Sequence, residues 1–157
     1  RASIEKDLEK PAGATLQLQA ANDGRAVRAT ARVAGIVKPQ PNLVLNLALV
    51  EKQVRYSGEN GIRFHPMVVR RVHTVPLKDT TDLSEAHAFS IPEVDQALKQ
   101  SLDAFEKHDD RHNKDGKFRF AERKDVIDPA ALAVVAFVQD SETKEVLQAA
   151  WADAPKE

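Results

Sequence analysis

The feature that most constrains this chain is the run TLQLQA, then NDG, then RAVRATARVAG. Leu16, Leu18 and Ala20 alternate with Gln17 and Gln19. After the turn, Val27, Ala29, Ala31 and Val33 alternate with Arg28, Thr30 and Arg32. Apolar residues at every second position suit a strand with one buried face and suit no helix. Asn22 and Gly24 tolerate positive φ, so the three residues between the runs predict a tight reversal and hence a β-hairpin.

The same period recurs along the chain. In LVLNLALVEKQVRY, Leu43, Leu45, Leu47 and Leu49 share a face, while Val54 and Tyr56 fall on the other parity. A bulge or a change of neighbours is therefore expected near Glu51. MVVRRVHTV (67–75) and EAHAFSI (85–91) read as strands, as do KFRFAE (117–122) and EVLQAAW (145–151). LAVVAFVQ (132–139) is apolar on both parities, the mark of a central strand covered on both faces, so Val134 and Phe137 are expected in the core. The period changes once. Ser90 and Glu93 form a capping box with Pro92 in the first turn, and Val94, Ala97, Leu98, Leu102 and Phe105 follow at helical spacing, so a helix is predicted over about 91–108.

About seven or eight strands joined mainly by short turns, with a single helix, predict an all-β antiparallel sandwich with one inserted helix and not a parallel α/β sheet. The sandwich is expected over 14–153, with 1–13 as a linker or tail and 154–157 as a C-terminal tail. A chain of 157 residues buries roughly 70% of its unfolded surface and needs no metal or disulfide to fold. With no Cys, disulfides, thiol catalysis, zinc–thiolate sites and iron–sulfur clusters are excluded. A formal net charge of -1 argues against a nucleic-acid binder. No apolar run reaches the length of a transmembrane helix, so no membrane insertion is expected of this chain. It opens on Arg1 instead of Met, which is read as a piece of a longer or processed polypeptide.

VRYSGENGIRFHPMVVRRV, followed far downstream by LAVVAFVQDSETKEVLQAAW, carries a resemblance. The pieces are Gly58-Glu59-Asn60-Gly61, His65, Val68-Val69-Arg70 and the Val-Gln-Asp run at 138–140. In that order they resemble the C-terminal part of exported bacterial proteins in which a thioredoxin-like domain precedes an immunoglobulin-like sandwich, the outer-membrane-28-related proteins and a similar thioredoxin-like family. The resemblance implies an immunoglobulin-like topology and a periplasmic, cell-envelope or secreted location. It implies no activity for these residues, because the thioredoxin-like part with its paired Cys lies outside this chain.

Three groups of residues are candidates for chemistry. Glu59, Asn60, His65 and Arg70 form a polar cluster able to grip a ligand or partner, with Arg70 forking onto a carboxylate such as Glu59. The alternative is local: glycines for the turn, Asn60 on its own backbone, and Arg70 clamping the loop through an internal ion pair. KHDDRHNKDGKFRFAE invites comparison with a calcium loop. With Gly116 at the sharp turn, Asn113, Asp115 and Glu122 take ligand places. Arg111 falls where the first acid belongs, so Asp109 or Asp110 would serve only with extra residues in the loop. His108 and His112, four apart, offer a transition-metal pair. The alternative is a solvated helix end and an Asp-Gly turn. The third group, Arg25, Arg28 and Arg32, is either an anion-binding row or the wet face of a sandwich.

No nucleophile stands at a telling spacing from a base. The expected role is a non-enzymatic accessory or protein-interaction domain of a larger exported protein, packing against a neighbouring domain of the same protein or against another protein. The alternatives are a Ca²⁺- or metal-dependent module, a carbohydrate- or ligand-binding module, and an enzyme using His65, Glu59 and Arg70. No cofactor is required by the sequence.

Overall fold

The computed structural model describes residues 11–56, 61–78, 80–108 and 118–156. Seven strands form two antiparallel sheets. β1 (Thr15–Asn22), β2 (Ala26–Ala34) and β5 (Leu83–Ser90) make a three-stranded sheet in the order β1-β2-β5. β3 (Leu43–Arg55), β4 (Phe64–Pro76), β6 (Leu132–Asp140) and β7 (Val146–Asp153) make a four-stranded sheet in the order β4-β3-β6-β7. The all-β sandwich read from the sequence is the fold observed.

The predicted hairpin is β1–β2, in register from Thr15 opposite Ala34 to Asn22 opposite Val27. Its turn is made by short side chains bonding their own backbone. Asp23 Oδ1 accepts from the amides of Arg25 and Ala26 at 2.8 Å each, Asn22 Oδ1 accepts from Gly24 N at 2.9 Å, and Gly24 has φ +81°. Asn22 is buried, and its amide donates to the carbonyls of Pro129 and Ala154, tying the turn to the neighbouring sheet.

The core lies between the sheets. Val27, Ala29, Ala31 and Val33 of β2 face Leu43, Leu45, Leu47 and Leu49 of β3 and Leu132, Val134, Ala136 and Val138 of β6. On one side the edges β1 and β7 approach each other, and Gly13 N donates to the Leu147 carbonyl. On the other side α1 (Ile91–His108) lies against the β4 and β5 edges and buries Ile91 and Val94. The Ser90 half of the predicted capping box forms, with Glu93 N donating to Ser90 Oγ at 3.4 Å. Ala154 is buried and its amide donates to the Leu132 carbonyl, so the chain is still held after β7.

Three sequence expectations change. First, Phe137 is not in the core. Residues 134 and 137 have opposite parity on one strand, so with Val134 facing inward Phe137 must face outward, where it is half-buried. Second, no strand forms over 118–122. Phe118 and Phe120 alternate because both turn onto Phe105 of α1, with ring centroids 5.7 and 5.3 Å from it and 5.1 Å from each other. Third, Ile91 opens the helix and does not extend β5. The bulge expected near Glu51 is present, and its extra residue lies on β4. Leu49 pairs with Arg71 and Val50 with Val69, so Arg70 is the extra residue of a bulge.

Candidate functional site

The bulge decides where β4 sends its side chains. Arg71 pairs with Leu49 of the core face, yet Arg70 also turns inward and lines a groove with Val68, while Val69 and Val72 face outward. Arg70 meets Glu51 there, with Nε 2.9 Å and Nη2 2.7 Å from Glu51 Oε2, and each side chain is only 8% exposed. Glu51 Oε1 also accepts from Asp128 N at 3.4 Å. Arg70 therefore forks onto an internal carboxylate contributed by β3, and Glu51 is the partner that the sequence reading did not single out. A carboxylate on the core parity of an apolar strand was the signal for it.

The groove holds about 330 Å³ between the β3–β4 end of the sandwich and α1. Val54, Val68, Leu98, Leu102 and Phe120 make its apolar surface, and Tyr56, His65, Glu122 and Lys124 stand around them. His65 Nε2 lies 3.1 Å from the Tyr56 carbonyl, an acceptor only, so that nitrogen carries the proton. Glu122 pairs with Lys124 at 2.6 Å. Of the sequence-predicted site residues, His65, Arg70 and Glu122 thus meet at one groove. Glu59, Asn60, Asp109, Asn113 and Asp115 lie outside the described residues. Among the described residues no three His, Asp or Glu side chains are grouped to hold a metal ion. Arg28 of the basic row pairs with Asp23 at 2.6 Å.

A second feature is the outward face of the four-stranded sheet. Its cross-strand rows read Thr74–Asn46–Phe137–Ala149, then Val72–Ala48–Val135–Trp151, then Val69–Val50–Ala133–Asp153. Asp153, the single charge among them, is paired with Lys52 at 2.8 Å. Thr74 Oγ1 donates to Asn46 Oδ1 at 2.7 Å, so the two polar side chains of the first row satisfy each other. Trp151 is 58% exposed, Val69 55% and Val72 46%. The outward face of the other sheet carries Gln17, Gln19, Arg28, Thr30, Arg32 and Ser84, the ordinary wet composition.

The third feature is a polar seam where the edge strands β4 and β5 face each other. His73 and His87 stack with ring centroids 3.8 Å apart and planes 7° from parallel. His73 Nε2 lies 2.9 Å from Glu85 Oε1, and His87 meets the edge of Phe89 at 4.6 Å. Parallel stacked imidazoles aim their lone pairs along parallel planes, so they do not converge on one ion.

No protein-family model matches the chain, and no curated protein sequence matches it. Among solved structures, the chain is similar to a domain of the outer membrane lipoprotein Omp28 from Porphyromonas gingivalis, at 12% identity and a TM-score of 0.46 over 94% of this chain and 93% of that one. No helix among the described residues is long and apolar enough to cross a membrane.

Proposed function

We propose that the chain is a non-enzymatic accessory domain that packs the outward face of its four-stranded sheet against a neighbouring domain of the same exported polypeptide. The observation that carries this is the apolar, nearly uncharged outward face around β6. LAVVAFVQ has the composition of a strand covered on both faces. The other sheet seals its inward face, while on the outward face Ala48, Val50 and Ala133 are buried but Val135 and Phe137 are only half-buried and Trp151, Val69 and Val72 are exposed. Three rows across four strands, about 4.8 Å apart along the sheet and about 6.8 Å apart along the strands, span on the order of 400 Å² of sheet, within which Asn46, Ala48, Val50 and Ala133 are already buried. A face that keeps Trp151, Val69 and Val72 exposed and is nearly free of charge is the kind that marks an interface. Covered by a partner, the whole span would bury at most about 800 Å² in total, below the roughly 1,200 Å² of a stable stand-alone complex and within the range of domains tethered in one chain. Tethering therefore favours a neighbouring domain over a free protein.

The order β1-β2-β5 against β4-β3-β6-β7 supports an immunoglobulin-like reading of the sandwich, with the fourth strand joined to the β3 sheet. The exported setting rests on the sequence resemblance carried by residues 54–72 and 132–151. The non-enzymatic reading is supported by the engagement of His65 with a carbonyl and of Arg70 with Glu51. The test is Val72→Asp with Trp151→Asp in the full-length polypeptide. The isolated domain should melt as before, while the full-length protein should lose the coupling of its domains and melt in separate transitions. Unchanged coupling would defeat the proposal.

A second reading takes the groove beside α1 as a site for a small apolar ligand, favoured by the meeting of Tyr56 and His65 around an apolar floor. Leu98→Lys should then abolish binding of an apolar fluorescent probe, and unchanged probe binding would remove this reading.

A further inference from the structure

Both edge strands turn polar residues inward at the seam: Arg71 and His73 from β4, Glu85 and His87 from β5. Inward charges on edge strands guard against edge-to-edge pairing, and Arg71 and Glu85 are enough for that. A stacked pair of imidazoles adds something different, a titration within the physiological range. We propose that the His73–His87 stack is an acid-sensitive latch between the two sheets, which holds while at most one ring is charged and weakens when both are.

The groups around the stack fix this behaviour. Glu85 accepts from His73 and can hold one proton in the seam. A second proton on His87 would set two cations 3.8 Å apart, with the Arg71 guanidinium lining the same cleft and one carboxylate already engaged. From α1 the charged group facing the cleft is Glu93, accompanied by the uncharged Gln96 and Gln100. From β2 the residue opposite His87 is Ala29, with no charge. The cleft of about 480 Å³ above the rings admits water, so His87 can exchange protons without prior unfolding.

Burial, first, and then the charge of His73 hold His87 below the ordinary histidine value, with Glu85 opposing and Arg71 adding to the depression. The sign follows. A histidine depressed in the folded state takes its proton more readily when unfolded, so its contribution to stability is present above the unfolded value and is lost as pH falls. The loss should begin near the ordinary value of about 6.5, above the range where most carboxylates titrate. The latch joins β4 to the corner where β5 passes into α1, so that corner should open first.

The test combines imidazole NMR titration with thermal melts between about pH 7.5 and 5.5. The His87 resonance should titrate below the ordinary value. The wild-type melting temperature should fall by about 3 °C or more across that range, and His87→Gln should flatten the fall. His108→Gln, at the far end of α1, should leave it unchanged. A His87 resonance titrating at or above the ordinary value would overturn the proposal, as would a parallel fall in wild type and His87→Gln. If His87→Gln does not fold, the wild-type titration and His73→Gln decide the matter: loss of the neighbouring ring should raise the His87 titration, and no movement counts against the latch.

Discussion

Replacing Arg70 by Ala should be among the most damaging single changes in this domain. The side chain exists where it does because of the β4 bulge, which turns two consecutive residues inward, and it neutralises a carboxylate that is 8% exposed. Deleting the guanidinium removes both hydrogen bonds to Glu51 Oε2 and leaves that carboxylate with the Asp128 amide alone. An uncompensated buried charge of this kind costs about 3–5 kcal/mol. For a domain of this length, each kcal/mol moves the melting temperature by about 2–4 °C, so a fall of about 10 °C is expected. Urea unfolding followed by circular dichroism measures the cost directly. The double variant Glu51→Leu with Arg70→Met removes both charges and fills their volume, and it should recover most of the loss, because a buried ion pair adds little net stability over apolar residues of similar size. A cost for Arg70→Ala below about 1 kcal/mol would show that water reaches Glu51. A double variant as unstable as the single one would show that the pair supports the bulge itself, and either result refutes the reasoning.

Two further outcomes follow from the packing. Val134→Ala should cost about 2–3 kcal/mol, because Val134 is fully buried between the sheets, whereas Phe137→Ala should cost clearly less despite the larger truncation; equal costs in urea would contradict the assignment of the two faces of β6. Millimolar Ca²⁺ should leave the melting temperature unchanged, since a site on the native state alone would raise it with concentration; a concentration-dependent rise would assign a metal site to residues 109–122.

Much of the architecture was legible because it rests on the simplest physics. The alternation in β1 and β2, the Asn22–Gly24 reversal and the Ser90–Glu93 cap are local, and each appears where the residues call for it. What could not be read was decided by partners distant in sequence. Phe118 and Phe120 have a strand's alternation but no neighbouring strand, and Phe105 claims them instead. The shift of phase was visible near Glu51, but which strand would carry the extra residue depended on pairing across a turn. The pairing of His73 with His87 joins residues from opposite sheets, and neither histidine carries a local signature of the other. The outward face was half-visible. The apolar run of β6 announced a strand covered on both sides; its inward face meets the other sheet, and on its outward face Ala133 is buried while Val135 and Phe137 stay half-buried among the described residues.

Trp151 makes that last point measurable, since it is the sole tryptophan of the sequence and sits in the middle row of the outward face. Acrylamide quenching of its fluorescence should be efficient in the isolated domain. In the full-length polypeptide the same residue, isolated by difference against Trp151→Phe, should be shielded and its emission shifted to the blue. Equal quenching in the two would mean that the face stays in water and that the domain does not dock through it.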